Sequence, residues 1–215
     1  MRDLTLPPVL SIEQGNGESL AVMSDVVEPV SETLVKRARA VLGRRNLVFV
    51  GLMGAGKSAI GRLTAQALSL PFVDSDHEIE RVSRMTVAEL FAAYGETEFR
   101  ALETRVIKRL LQSGARIVST GGGAYINPQT RRNIQKSGVS VWLNAELDVL
   151  WDRVNKREGR PLLKTDNPKG TLEKLMIERY PIYAEADVSV LSRDVKKERI
   201  VEEVLEAIAA IPPKK

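Results

Sequence analysis

The chain predicts an α/β fold, a five-stranded parallel sheet covered by helices, from three observations. Short apolar runs alternate with helical patterns from Arg45 almost to the C-terminus. The first run, Leu47–Val50, is continuously apolar, as expected of a strand buried on both faces. It leads directly into the glycine-rich stretch Gly51–Ser58, after which Ile60, Leu63, Ala67 and Leu68 recur at helical spacing. In such a fold, ligands gather at the C-terminal edge of the strands.

The elements follow in order. Residues 1–30 hold Pro7, Pro8, Gly15, Gly17 and Pro29 without sustained periodicity, and read as a flexible acidic tail; Met23 inside it is a second candidate start. Ser31 before an acidic residue predicts a helix cap, with Leu34, Ala38 and Val41 on one side of a helix that Gly43 ends near Leu42. Residues 31–44 are therefore a helix and linker ahead of one domain at 45–211. Its strands are expected at Leu47–Val50, Pro71–Val73, Arg116–Ser119, Val139–Leu143 and Val188–Leu191. Helices are expected at Lys57–Leu68, Thr86–Tyr94, Glu96–Gln112, Pro128–Gln135, Glu146–Asn155, Thr171–Ala184 and Glu198–Ile211, the last before Pro212 and Pro213. Residues 156–170 are charged, contain Gly159, Pro161, Pro168 and Gly170, lack an apolar period, and read as a mobile lid, with a plain surface loop as the commoner alternative.

Composition narrows the function. The 215 residues include no Cys, which removes disulfides, Cys-ligated metals and Cys nucleophiles and suits a reducing compartment. No apolar run approaches the 18–20 residues of a membrane span, and the N-terminus has neither a secretory nor a transit pattern, so a cytoplasmic protein without membrane partners is expected. The net charge of +4 is unevenly spread. Residues 1–33 carry one base and six acids, which leaves 31 bases against 22 acids, a surplus of nine, on the remainder. Those bases are dispersed, without a dense block or an aromatic stacking series. Small anions are the expected partners rather than nucleic acid.

Gly51–Ser58 fits the pattern G-x-x-x-x-G-K-S/T. Its glycines let successive N–H groups point at phosphate oxygens beside a helix N-terminus, Lys57 reaches the outer phosphates, and the Ser58 hydroxyl can ligate Mg²⁺. Asp74 and Asp76 leave the second strand at the same edge, and fall on one side of the chain if the extended conformation persists. One can hold a divalent ion while the other accepts a proton from a hydroxyl; capping of the next helix is the structural alternative for Asp76. Arg100 and Glu103 are neighbours at i,i+3, with Phe99, Leu102 and Val106 facing the core. Gly121–Gly123 after the third strand imply close approach to a ligand or to another segment. Arg160 in the lid and Arg179 beyond it suit phosphate and carboxylate recognition, although a solvated surface charge is the commoner reading of either one taken alone. His77, the sole His, sits near a helix start and is not read as a catalyst.

These motifs in this order resemble the shikimate kinase family, P-loop small-molecule kinases related to nucleoside monophosphate kinases. The resemblance spans roughly residues 45–190 and is carried by the phosphate loop, F-V-D-S-D, G-E-T-E-F-R-x-x-E, S-T-G-G-G, G-R-P-L-L and R-Y-P-I-Y-A-E-A-D. It implies a three-layer P-loop kinase fold with a mobile lid, a monomer, and transfer of a phosphoryl group from ATP to the 3-hydroxyl of shikimate with one Mg²⁺. By the same resemblance Gly54, Ala55, Gly56, Lys57, Ser58 and Ala59 would hold ATP, Ser58 and Asp74 the metal, and Lys57, Asp76 and Arg160 would be catalytic. Arg153 would pack on adenine, with Arg157 as the rival for that role, and Arg160 would also contact the nucleotide. Asp76, Arg100, Gly121, Gly122, Gly123 and Arg179 would bind shikimate, and Glu103 would position the substrate-binding helix or its arginine. The segment Ser192-Arg193-Asp194-Val195 lacks the proline common over adenine in the family. A gluconate kinase would share loop and lid without needing paired arginines for a ring carboxylate. An inactive nucleotide-binding relative would be expected to lack one or more of Asp76, Arg100, Arg160 and Arg179, all of which are present.

Overall fold

The computed structural model describes residues 30–156, 161–163 and 165–212. Five strands, β1 (Asn46–Val50), β2 (Phe72–Asp74), β3 (Ile117–Ser119), β4 (Gly138–Asn144) and β5 (Val188–Leu191), form one sheet in the order β2-β3-β1-β4-β5. Every neighbouring pair is parallel, with Val48 opposite Val118 on one side and Ser140 on the other. β1 is central and wholly buried, which explains its unbroken apolar run. Asn46 at its start donates through its side-chain amide to the carbonyls of Leu111 (2.9 Å) and Ser137 (3.0 Å), tying the far edge of the sheet to two helix ends.

The helices are α1 (Glu32–Leu42), α2 (Lys57–Ala67), α3 (Ser75–Ser83), α4 (Val87–Gln112), α5 (Pro128–Ser137), α6 (Leu147–Asn155), α7 (Pro168–Tyr183) and α8 (Lys197–Ala209). The fold class expected from the sequence is the one observed, and most element boundaries fall within a few residues of expectation. α1 is anchored by buried Ala38 and Leu42 and packs on α8, which also packs on α2. Ser31 occupies the N-cap position, yet its side chain makes no capping bond; its backbone carbonyl takes the Val35 N–H at 3.0 Å instead.

Two further expectations are corrected. The extended conformation does not persist through Asp74 and Asp76. The Asp74 carboxylate accepts the Asp76 N–H at 3.0 Å, and this N-cap starts α3 at Ser75, a helix absent from the expected set. The capping residue is thus Asp74 and not Asp76. The break expected between the helices 86–94 and 96–112 is present within α4, at Gly95, whose φ of 75° and ψ of 174° are non-helical. The expected lid also ends earlier: Asn167 caps α7, accepting the Gly170 N–H at 2.9 Å, and Pro168 stands in the first turn. Pro161–Leu163 form a short 3₁₀ turn.

A Cβ at Gly95 would meet nothing within 4 Å, so its requirement for glycine is conformational rather than steric. That backbone region is essentially glycine-only, and Gly95→Ala is expected to lower unfolding free energy by about 1–3 kcal/mol. Urea denaturation measures it; a loss below about 0.5 kcal/mol, the range of an ordinary surface substitution, would show that the kink relaxes freely.

Candidate active site

The loop after β1 turns sharply enough to put Gly51, Gly54 and Gly56 at positive φ. Side chains are excluded there for two reasons, since a Cβ on Gly51 would also lie 2.7 Å from the Leu143 carbonyl oxygen, and one on Gly54 2.9 Å from that of Leu150. Lys57 opens α2 and donates from Nζ to the carbonyls of Gly51 and Leu52, both at 2.8 Å. Ser58 Oγ donates to Asp74 Oδ2 at 2.6 Å and lies 3.1 Å from Ser119 Oγ. Loop, β2 and β3 therefore meet at one point. A hydroxyl and a carboxylate oxygen held this close fit a small hard cation that takes its remaining ligands from water and phosphate. No group of three or more His, Cys, Asp or Glu residues suited to metal binding exists among the described residues.

Two cavities open at the C-terminal edge of the sheet. The larger, about 440 Å³, runs from the glycine loop past Asp74 to Arg153, Ser192 and the start of α8. Arg153 is fixed in it by three acceptors, Ser192 Oγ (2.8 Å), the Arg193 carbonyl (2.8 Å) and the Gly54 carbonyl (3.3 Å). The smaller, about 270 Å³, is lined by Arg100, Glu103 and Arg179 together with Phe91 and Phe99. Met53, Asp76, Gly121 and Gly122 line both, so Asp76 stands where the two spaces join.

The arginines of the smaller cavity are pre-oriented. Arg100 donates to Glu103 Oε2 at 2.8 Å and to Glu96 Oε1 at 3.1 and 3.2 Å, with its guanidinium 5.1 Å from the Phe99 ring centre. Burial pulls its pKa down, but Glu103 and Glu96 more than offset this and carry it above the ordinary value. Glu103 is 1% exposed. Burial raises its carboxyl above the usual carboxylate range, Arg100 opposes the rise, and Asp76 adds to it. Arg179 comes from α7 and donates to the Gly122 carbonyl at 3.4 Å. The buried Tyr183 hydroxyl donates to that same carbonyl.

The expected residues Gly54, Ala55, Gly56, Lys57, Ser58, Ala59, Asp74, Asp76, Arg100, Gly121, Gly122, Gly123, Arg153 and Arg179 thus converge on one edge of the sheet; all but Ala55 line one or other cavity. Ala55 lies buried within the loop. Arg160, Gly159 and Arg157 lie outside the described residues. His77 is exposed yet reaches the smaller cavity, as do Glu80, Val87 and Leu162, none of which the sequence reading assigned to a site. The i,i+4 spacing of Val87 and Phe91 on α4 would have flagged both as apolar wall, but nothing local distinguishes Glu80. Ser192 and Tyr183 were missed for a different reason: their partners lie 39 and 61 residues away in sequence.

A phosphate cradle sharing its wall with a pocket for a small anion is the architecture of a P-loop small-molecule kinase. Comparison with known proteins agrees with that class and narrows it. The family model for shikimate kinase matches residues 53–209. A shikimate kinase of Rhizobium meliloti (strain 1021) is 76% identical over 187 residues, covering 87% of this chain and 97% of that protein. One from Brucella canis is 58% identical over 172 residues, covering 80% and 86%. Among solved structures, the shikimate kinase of Acinetobacter baumannii in complex with shikimate superimposes with a TM-score of 0.76 at 34% identity, covering 80% of this chain and 96% of that one. The chain belongs to the shikimate kinase family.

Burial raises the Tyr183 hydroxyl to about 12. The unfolded chain releases that proton near pH 10 while the folded chain holds it, so stability is full below pH 10 and falls by about 1.4 kcal/mol per pH unit between 10 and 12. Tyr183→Phe should cost about 1 kcal/mol at pH 7 through the lost bond to Gly122 and should remove one proton's share of the alkaline decline. Urea unfolding at pH 7, 10 and 11 measures both.

Proposed function

We propose that the chain transfers the γ-phosphoryl group of ATP to the 3-hydroxyl of shikimate, giving ADP and shikimate 3-phosphate. The observation that carries this is the position of Asp76 in the wall common to both cavities, beside the phosphate loop on one side and the paired arginines on the other. The larger cavity takes ATP, with its phosphates on the loop amides and Lys57 and its adenine end toward Arg153. The smaller takes shikimate, its carboxylate clamped by Arg100 and Arg179.

The reaction forms a bond from the shikimate oxygen to the γ-phosphorus and breaks the bond from that phosphorus to the bridging oxygen of ADP. Asp76 accepts the hydroxyl proton, and Lys57 and the helix N-terminus stabilise charge on the phosphoryl oxygens. We assign Mg²⁺ to Ser58 and Asp74, where a bound ion neutralises phosphate charge. Arg160 is assigned to the lid, where closure adds a cation and excludes water. Direct transfer needs no covalent enzyme intermediate. We take residues 45–211 as the catalytic domain of a monomeric cytoplasmic enzyme, with α1 as its N-terminal brace. No helix among the described residues is long and apolar enough to cross a membrane.

Purified protein with Mg·ATP should phosphorylate shikimate and leave gluconate untouched in a side-by-side panel; absence of shikimate turnover would refute the proposal. Asp76→Asn should lower kcat by about 10²–10⁴ with ATP affinity within about twofold, since proton acceptance is lost while the loop is intact. Arg100→Ala should instead act mainly on the KM for shikimate, raising it on the order of tenfold or more.

A further inference from the structure

The far end of the larger cavity is closed by the turn Ser192–Val195 between β5 and α8. This turn is held at both its backbone and its side chains. Ser192 N–H donates to the Asn144 carbonyl at 2.6 Å, and the Arg193 carbonyl accepts both the Val195 N–H (3.1 Å) and Arg153 Nη2 (2.8 Å). The Arg193 guanidinium makes a two-pronged pair with Glu203 of α8, at 2.8 and 2.6 Å, and also donates to the Leu191 carbonyl at 3.1 Å. Arg199 Nε adds a weaker contact to Glu203 at 3.3 Å.

Glu203 itself is absent from the cavity wall, whereas Arg153, Lys156, Arg193 and Lys197 all belong to it, with Asp194 of the same turn as the carboxylate beside them. Four cations against one carboxylate leave this end net positive, and Glu203 lowers that charge from behind the wall by pairing with Arg193. We propose that Glu203 is a positioning residue for the nucleotide: by gripping Arg193 it fixes the carbonyl and hydroxyl of the turn that aim Arg153 into the base end of the cavity. This rests on reading the larger cavity as the nucleotide site. The geometry suits the role, because a bidentate carboxylate–guanidinium pair sets orientation as well as distance. The hydrogen bonds from Arg193 also hold the Glu203 carboxyl below the usual carboxylate range, so the pair stays ionised at neutral pH.

A purely structural role would weaken every ligand alike, and the test separates the two ends of the nucleotide. Calorimetric titrations of ADP, inorganic tripolyphosphate and shikimate are run on the full chain and on Glu203→Ala, Arg193→Ala, the double variant and Arg153→Ala. Glu203→Ala should raise the Kd for ADP about five- to tenfold, the scale of one lost hydrogen bond of ordinary strength. Tripolyphosphate and shikimate should stay within about twofold, and the double variant should be no worse than either single one. In turnover, the KM for ATP should rise while kcat at saturating ATP changes less than about twofold. Wild-type ADP affinity in Glu203→Ala, or an equal loss of all three ligands, would overturn the proposal. If Glu203→Ala does not fold, Arg193→Leu reads the same link from its other side. Arg153→Ala that binds ADP as well as wild type would instead overturn the reading of the base end, and the proposal with it.

Discussion

The close approach of bare backbone at Gly121–Gly123 is the constraint on which the site depends. A Cβ at Gly121 would fall 2.7 Å from Asp76 Oδ1 and 2.8 Å from Glu103 Oε1, and one at Gly123 would overlap the Arg100 guanidinium. The segment is pinned from behind as well, since Gly121 N–H donates to Ser75 Oγ at 3.1 Å while Arg179 and Tyr183 donate to the Gly122 carbonyl. Helices α3, α4 and α7 are thereby gathered round one strand end. With side chains on this segment, Asp76, Glu103 and Arg100 would be pushed away from the wall they now form. The phosphate loop would remain, but without an acceptor pocket beside it.

That wall also settles the electrostatics. Burying Glu103 almost completely is costly, and its raised carboxyl pKa registers the cost. The return is orientation: with Glu96 it draws two edges of the Arg100 guanidinium into fixed bonds and leaves the ring of Phe99 beneath it. Across the wall, the larger cavity uses the same device with different residues, in that Ser192 and the Arg193 and Gly54 carbonyls hold Arg153. Cations are thus set before any ligand arrives, which is how an anion site avoids reorganising during the reaction.

Much of this was legible in the sequence, for identifiable reasons. β1, the glycine loop and α2 announce themselves because apolar run, glycine spacing and helical period are all local signals. The end of β2 was not legible, because one side chain, Asp74, decides between continued strand and helix cap, and the tetrad D-S-D-H is compatible with either. Arg100 and Glu103 could be paired from spacing alone, but that Glu103 lies in the interior and contacts a glycine segment from β3 depends on tertiary packing. The Arg193–Glu203 pair, ten residues apart across a turn, carries no pattern that would single it out among so many surface charges.

In the proposed mechanism donor and acceptor meet across one wall, and the phosphoryl group passes between them in a single displacement. The stereochemical course at phosphorus tests it most directly. With ATP made isotopically chiral at the γ-phosphoryl group, one in-line displacement inverts the configuration in the shikimate 3-phosphate product, and inversion is the predicted result. Retention would require two displacements through a phosphorylated side chain, and would contradict the account.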